Sequence, residues 1–109
     1  MEPMDAVLHA LAVPTRREIL ALVRDQEHSA GDIAASFDVT RPAISQHLSV
    51  LKEAGLVDVR AVGTRRLYRA RPQATSELRS WLDAFWADRL ADLKYAIEEE
   101  HDGPHHRAR

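Results

Sequence analysis

The residues with the clearest chemistry lie between positions 40 and 71. Arg41, Ser45 and Gln46 carry the donor and acceptor groups that read base edges, and an arginine also grips phosphate. Further along come Arg60, Arg65, Arg66, Arg69 and Arg71. With Arg41 and Lys52 they give residues 40–71 seven basic side chains against two acidic ones, a net of +5. Residues 1–39 carry −4 and residues 72–109 carry −3, so the net −2 of the chain hides a basic middle between acidic flanks. A polyanionic partner fits that distribution better than the total does.

Other chemistries find less support. The sequence has no cysteine, which excludes a disulfide scaffold, a thiolate metal centre and a cysteine nucleophile. Serine, histidine and aspartate all occur, but nothing in their spacing suggests an oriented nucleophile–base pair, so the chain is expected not to be an enzyme. No stretch approaches 18 apolar residues, and the first residues lack a charged-then-apolar signal pattern. A soluble cytoplasmic protein with no membrane partner is the expectation. At 109 residues, 45% of them hydrophobic, the chain has room for one domain with a real core.

The elements that must position the basic residues follow from periodicity. Val7, Leu8 and Leu11 fall at helical spacing within Asp5–Ala12. Pro14 suits the first turn of the next helix, whose apolar stripe is Ile19, Leu20 and Val23, with Arg16, Arg17 and Arg24 off it. Ser29 with Asp32 three residues on resembles a capping box, opening a helix that buries Ile33, Ala34 and Phe37. The break at Asp38–Thr40 is short enough to call for a positive φ, which Asp38 tolerates. Thr40 then caps a helix with Pro42 in its first turn. On that helix Ile44, Leu48 and Leu51 face inward, while Pro42, Gln46 and Ser49 lie opposite, with Arg41 and Ser45 on the shoulder. Gly55 supplies a left-handed stop. Two strands, 56–61 and 66–71, form a hairpin around Val62–Arg65, and Pro72 ends it. A long helix from Thr75 to about Glu100 carries Leu78, Leu82, Phe85, Trp86, Leu90, Leu93 and Ile97 as an apolar seam. The pattern predicts a mainly α fold with a small β-hairpin, a winged helix-turn-helix occupying residues 1–100, and a disordered tail over 101–109.

Leu11–Leu20, read LAVPTRREIL, resembles the LADPTRRxIL opening of the ArsR-type (arsenic-resistance-repressor-like) bacterial regulators. Ala43–Leu48 with Leu51–Val57 is similar to that family's VSxHLxxLxxAGLV recognition segment, and Gly63–Tyr68 to its wing. The likeness runs from about residue 5 to residue 97. It implies a homodimeric repressor that binds a short inverted repeat in double-stranded DNA, dimerising through its first and last helices. Val7, Leu8, Leu11, Leu78, Leu82, Phe85, Trp86, Leu90, Leu93 and Ile97 are the matching interface residues. Arg41, Ser45 and Gln46 are then the base readers, Pro42 lies against a base or sugar, and Arg65 and Arg66 hold the backbone. Ser49 belongs to the same exposed face, and His47, between that face and the core stripe, has both a DNA contact and a packing role open to it.

The resemblance stops short of metal sensing. Relatives use cysteines on the helix before the recognition helix, or Asp/His and His/Glu pairs on the last helix. Here Asp32–Phe37 holds no cysteine, and the last helix has no histidine before His101. No metal site or cofactor is therefore expected, and the effector is unassigned. Three alternatives stand beside this reading. The arginines of 60–71 are a solvated strand face; the winged helix recruits a protein in place of DNA; or His101, His105 and His106 with Asp102 make the protein a metal-responsive repressor. Trp81, Phe85 and Trp86 read as dimer or core packing before they read as an effector pocket.

Overall fold

The computed structural model describes residues 3–101. Its elements are α1 (Pro3–Leu11), α2 (Pro14–Leu22), β1 (His28–Ser29), α3 (Ala30–Ala35), α4 (Arg41–Glu53), β2 (Val57–Val62), β3 (Arg65–Ala70) and α5 (Pro72–His101). They divide into two compact units, one ending at Leu78 and one beginning at Arg79. The expected tail, His101 apart, lies outside the described residues. No described helix is long and apolar enough to cross a membrane.

The core of the first unit is the one the periodicities require. Ile19, Val23, Ile33, Ile44 and Leu51 are fully buried and Leu48 nearly so, joined by Ala10, Leu56, Val57 and Ala74. Each large aliphatic side chain so removed from water contributes about 1.5–3 kcal/mol. Val7, Leu11, Leu20, Ala34, Phe37 and Tyr68 pack around that cluster. Ser29 accepts a hydrogen bond from the Asp32 amide at 3.1 Å and Thr40 one from the Ala43 amide at 3.2 Å, so both caps form as their residue types demand. Gly55 takes φ +78° and closes α4.

The hairpin gains a third strand. The sheet order is β1–β3–β2, all antiparallel, with Ser29 opposite Leu67 and Val57 opposite Ala70. Gly63 and Thr64 make a two-residue turn in which Gly63 takes φ +61°, the left-handed backbone that such hairpins need at their first loop position. A backbone bond from the Ala70 amide to the Val23 carbonyl ties the base of the wing to the end of α2, and one from the Arg71 amide to the Leu56 carbonyl closes the hairpin at its base. With side chains alternating across the sheet, Arg66 shares the face that carries Tyr68 and Ala70 to the core, while Arg65 and Arg69 take the opposite one.

Three expectations are corrected. Asp38 has no positive φ, and no non-glycine residue among those described does. Because α3 ends at Ala35, five residues rather than three reach α4, enough to turn the chain without a strained one. Arg16 is not outside the stripe but 9% exposed, and its Nε and NH1 nitrogens have no hydrogen-bond partner among the described residues. The last helix starts at Pro72 rather than Thr75, since proline fits a first helical turn as readily as it ends a strand.

Candidate nucleic-acid interface

Helix α4 presents Arg41, Pro42, Ser45, Gln46 and Ser49 to solvent while its other side anchors Ile44, Leu48 and Leu51 in the core. Its 13 residues make a rod of about 20 Å, narrow enough for the major groove. His47 is half-buried, as its position between the two faces requires.

The wing and the start of α4 meet in a polar cleft of about 480 Å³. Arg41 and Ser45 come to it from α4, and Thr64, Arg65, Arg66 and Tyr68 from the wing. Ser29, Ala30 and Gly31 form the third side, where a Cβ placed on Gly31 would stand 3.6 Å from Arg41 NH1. The structure thus unites four of the candidate site residues, Arg41, Ser45, Arg65 and Arg66. Pro42, Gln46 and Ser49 stay on the open face of α4, outside the cleft.

The wing arginines are not equivalent. Arg60 donates twice to Glu27, from Nε at 2.9 Å and from NH2 at 2.6 Å. This forked pair holds the Glu27 carboxyl below the usual carboxylate range and raises Arg60, and the nearby charge of Arg69 adds to the effect on Glu27. Arg71 donates to the Gly55 carbonyl at 3.2 Å and lies 3.6 Å from a Glu77 carboxylate oxygen. Arg65 NH2 lies 3.3 Å from Asp32 Oδ2, both side chains being about three-fifths exposed. Arg41 and Arg66 have no ion-pair partner among the described residues. A count of charges along 60–71 does not reveal this, because the acidic partners of Arg60 and Arg65 come from 33 residues away.

Asp32, Ser29, Gly31, Thr64 and Tyr68 are cleft residues or neighbours of the cleft that sequence reasoning did not single out for this role. Ser29 and Asp32 were legible only as a cap. The cap is half of the expected box: the serine hydroxyl accepts from the Asp32 amide, but the carboxylate reaches Arg65.

The second unit is a length of α5. Trp81 and Phe85 stack with ring centroids 5.2 Å apart, Trp86 meets Phe85 edge-on at 5.7 Å, and the Arg89 guanidinium lies 4.5 Å from the Phe85 ring centre. Leu82, Trp86, Leu90, Leu93 and Ile97 form an apolar stripe, each 38–58% exposed. Of the candidate interface residues on α1, Leu8 is exposed, while Val7 and Leu11 pack on the core. The histidines beyond His101 and the carboxylate of Asp102 lie outside the described residues.

Comparison with known proteins agrees with this geometry. Residues 13–59 match the model of the bacterial regulatory proteins of the arsR family. The chain is 42% identical over 98 residues to the HTH-type transcriptional regulator Rv2034 of Mycobacterium tuberculosis, covering 90% of this chain and 92% of that one. It is 34% identical over 79 residues to the transcriptional repressor SdpR of Bacillus subtilis, covering 72% and 88%. Among solved structures, a possible transcriptional regulator for arsenical resistance superposes with a TM-score of 0.67 at 45% identity, covering 82% of this chain and 93% of that one. The chain belongs to the ArsR family of winged helix-turn-helix transcriptional regulators, a DNA-binding and non-enzymatic class.

Proposed function

We propose that the protein is a homodimeric repressor that binds an inverted repeat in double-stranded DNA. The observation that carries this reading is the convergence of Arg41, Arg65 and Arg66 on one cleft beside the exposed polar face of α4. In the complex α4 enters the major groove. Arg41, Ser45 and Gln46 meet base edges, Pro42 lies against a base or sugar, and Ser49 extends the same face. Arg65 and Arg66 hold the backbone from the wing, on the phosphates or in the minor groove. His47, half-buried, supports the helix more than it reads the groove.

The dimer is supported by the apolar stripe of α5, large side chains that no core covers. Its twofold symmetry would set two recognition helices about 34 Å apart, one turn of the duplex, which is why the operator is an inverted repeat. The repressor role is supported by the name of the Bacillus relative, itself a transcriptional repressor. Selection of bound fragments from genomic DNA tests the reading. Enrichment of an inverted repeat with half-sites one turn apart is expected, and a bound pool with no repeat would refute it. On the selected site, Gln46→Ala should mainly relax discrimination, by about 1–3 kcal/mol at the base it reads.

A further inference from the structure

Asp32 lies beside a cleft lined by basic, hydroxylated and small residues, with its acidic side chain against one of the cleft's arginines, Arg65. Its main chain is already employed: the amide donates to the Ser29 hydroxyl, and the carbonyl accepts from the Ser36 hydroxyl at 3.1 Å. The carboxylate makes neither of these bonds. It makes one contact, to Arg65 NH2 at 3.3 Å, and both partners are about three-fifths exposed. The Glu27–Arg60 pair differs in its contacts, two at 2.9 and 2.6 Å, and in its carboxylate, only 29% exposed, although Arg60 itself is 62% exposed. One pair is built to stay closed; the other is loose enough to exchange.

Resting on the reading that Arg65 meets the DNA backbone, we propose that Asp32 is an internal competitor for Arg65, a carboxylate that occupies the wing arginine until a DNA phosphate displaces it. A guanidinium presents its donors in a planar fork suited to either anion. Asp32 and a phosphate drawn to the same fork repel each other, so the exchange carries a cost. That cost is the same for every base sequence. Asp32 therefore lowers the affinity of the wing for duplex DNA in general and leaves the ranking of sequences alone, which limits adhesion of the basic segment to bulk DNA.

The test is fluorescence anisotropy of a labelled duplex of arbitrary sequence, titrated over a range of salt concentrations. The proteins are the wild type, Asp32→Asn, Arg65→Ala, the double variant and Asp32→Glu, each checked for helicity and melting. An exposed ion pair is worth a factor of about two to five, and relief of the repulsion adds to it, so Asp32→Asn should bind about three- to tenfold more tightly at low salt. Its slope of log affinity against log salt should steepen by up to about 0.9, one extra counterion released. Asp32→Glu, which keeps the charge, should stay near the wild type, and Asp32→Asn should add little once Arg65 is alanine. If Arg65→Ala weakens binding but Asp32→Asn leaves it unchanged or weaker, the competition is refuted while the backbone role of Arg65 stands. If Arg65→Ala changes nothing, that role falls and the competition with it. A gain from Asp32→Asn that survives in full without Arg65, or one matched by Asp32→Glu, also overturns the proposal.

Discussion

Replacing Leu90 by alanine should loosen the association of two copies of the chain. Leu90 is 58% exposed on the α5 stripe. Full burial of a leucine is worth about 1.5–3 kcal/mol, so covering the exposed part contributes about 1–2 kcal/mol. In a twofold dimer the residue is buried twice, which makes the loss about 2–3.5 kcal/mol, or roughly 30- to 300-fold in the dimer dissociation constant. Tyr95 supplies the control: it is 65% exposed but lies on the opposite side of the helix from the stripe, so Tyr95→Ala should leave association unchanged. Sedimentation equilibrium at several loading concentrations reads the constants directly, with helicity measured in parallel. If Leu90→Ala associates like the wild type, or if Tyr95→Ala weakens association as much, the stripe is not the interface.

Leu51 is fully buried among the α4 core residues, so Leu51→Ala should cost about 2–5 kcal/mol in urea unfolding at fixed protein concentration; a cost below 1 kcal/mol would mean the site can collapse around the change. The Glu27–Arg60 pair gives a pH signature. Because the folded-state value of Glu27 is lowered, the pair's contribution is present in full above the ordinary carboxylate range and fades as pH falls through the depressed value. Thermal melts at descending pH should therefore show wild type and Glu27→Gln converging in acid, and a gap that widens in acid would contradict the assigned cause.

Much of the first unit was legible because its signals are local. Ile44, Leu48 and Leu51 mark the inner face of α4 by spacing alone, Thr40 caps the helix, and Gly55 and Gly63 stand where the backbone is left-handed. The rest depended on distant partners. β1 has two residues, too few for any alternation, and exists because Leu67 and Tyr68 offer a strand edge. The capping signal of Ser29 and Asp32 was readable, but the destination of the carboxylate was not, since Arg65 lies 33 residues away. The same separation hid the Glu27–Arg60 tie, so the basic segment looked uniformly available for anions when part of it is structural. Arg16 failed differently: its charge suggested the polar side, but it stands three, four and seven residues before Ile19, Leu20 and Val23, so helical spacing puts it on the buried stripe, where it is 9% exposed.

Whether the wing and α4 act together as one DNA-binding surface is decided at Arg66. This residue lines the cleft on the core-facing side of the wing and has no ion-pair partner among the described residues, so its charge is not spent on structure. The decisive measurement is duplex-DNA affinity against salt for the wild type and Arg66→Ala. Wild-type affinity should fall steeply and linearly on logarithmic axes, and Arg66→Ala should bind every sequence more weakly with a slope shallower by about 0.9. Affinity and slope identical in the two proteins would mean that the wing takes no part in binding DNA.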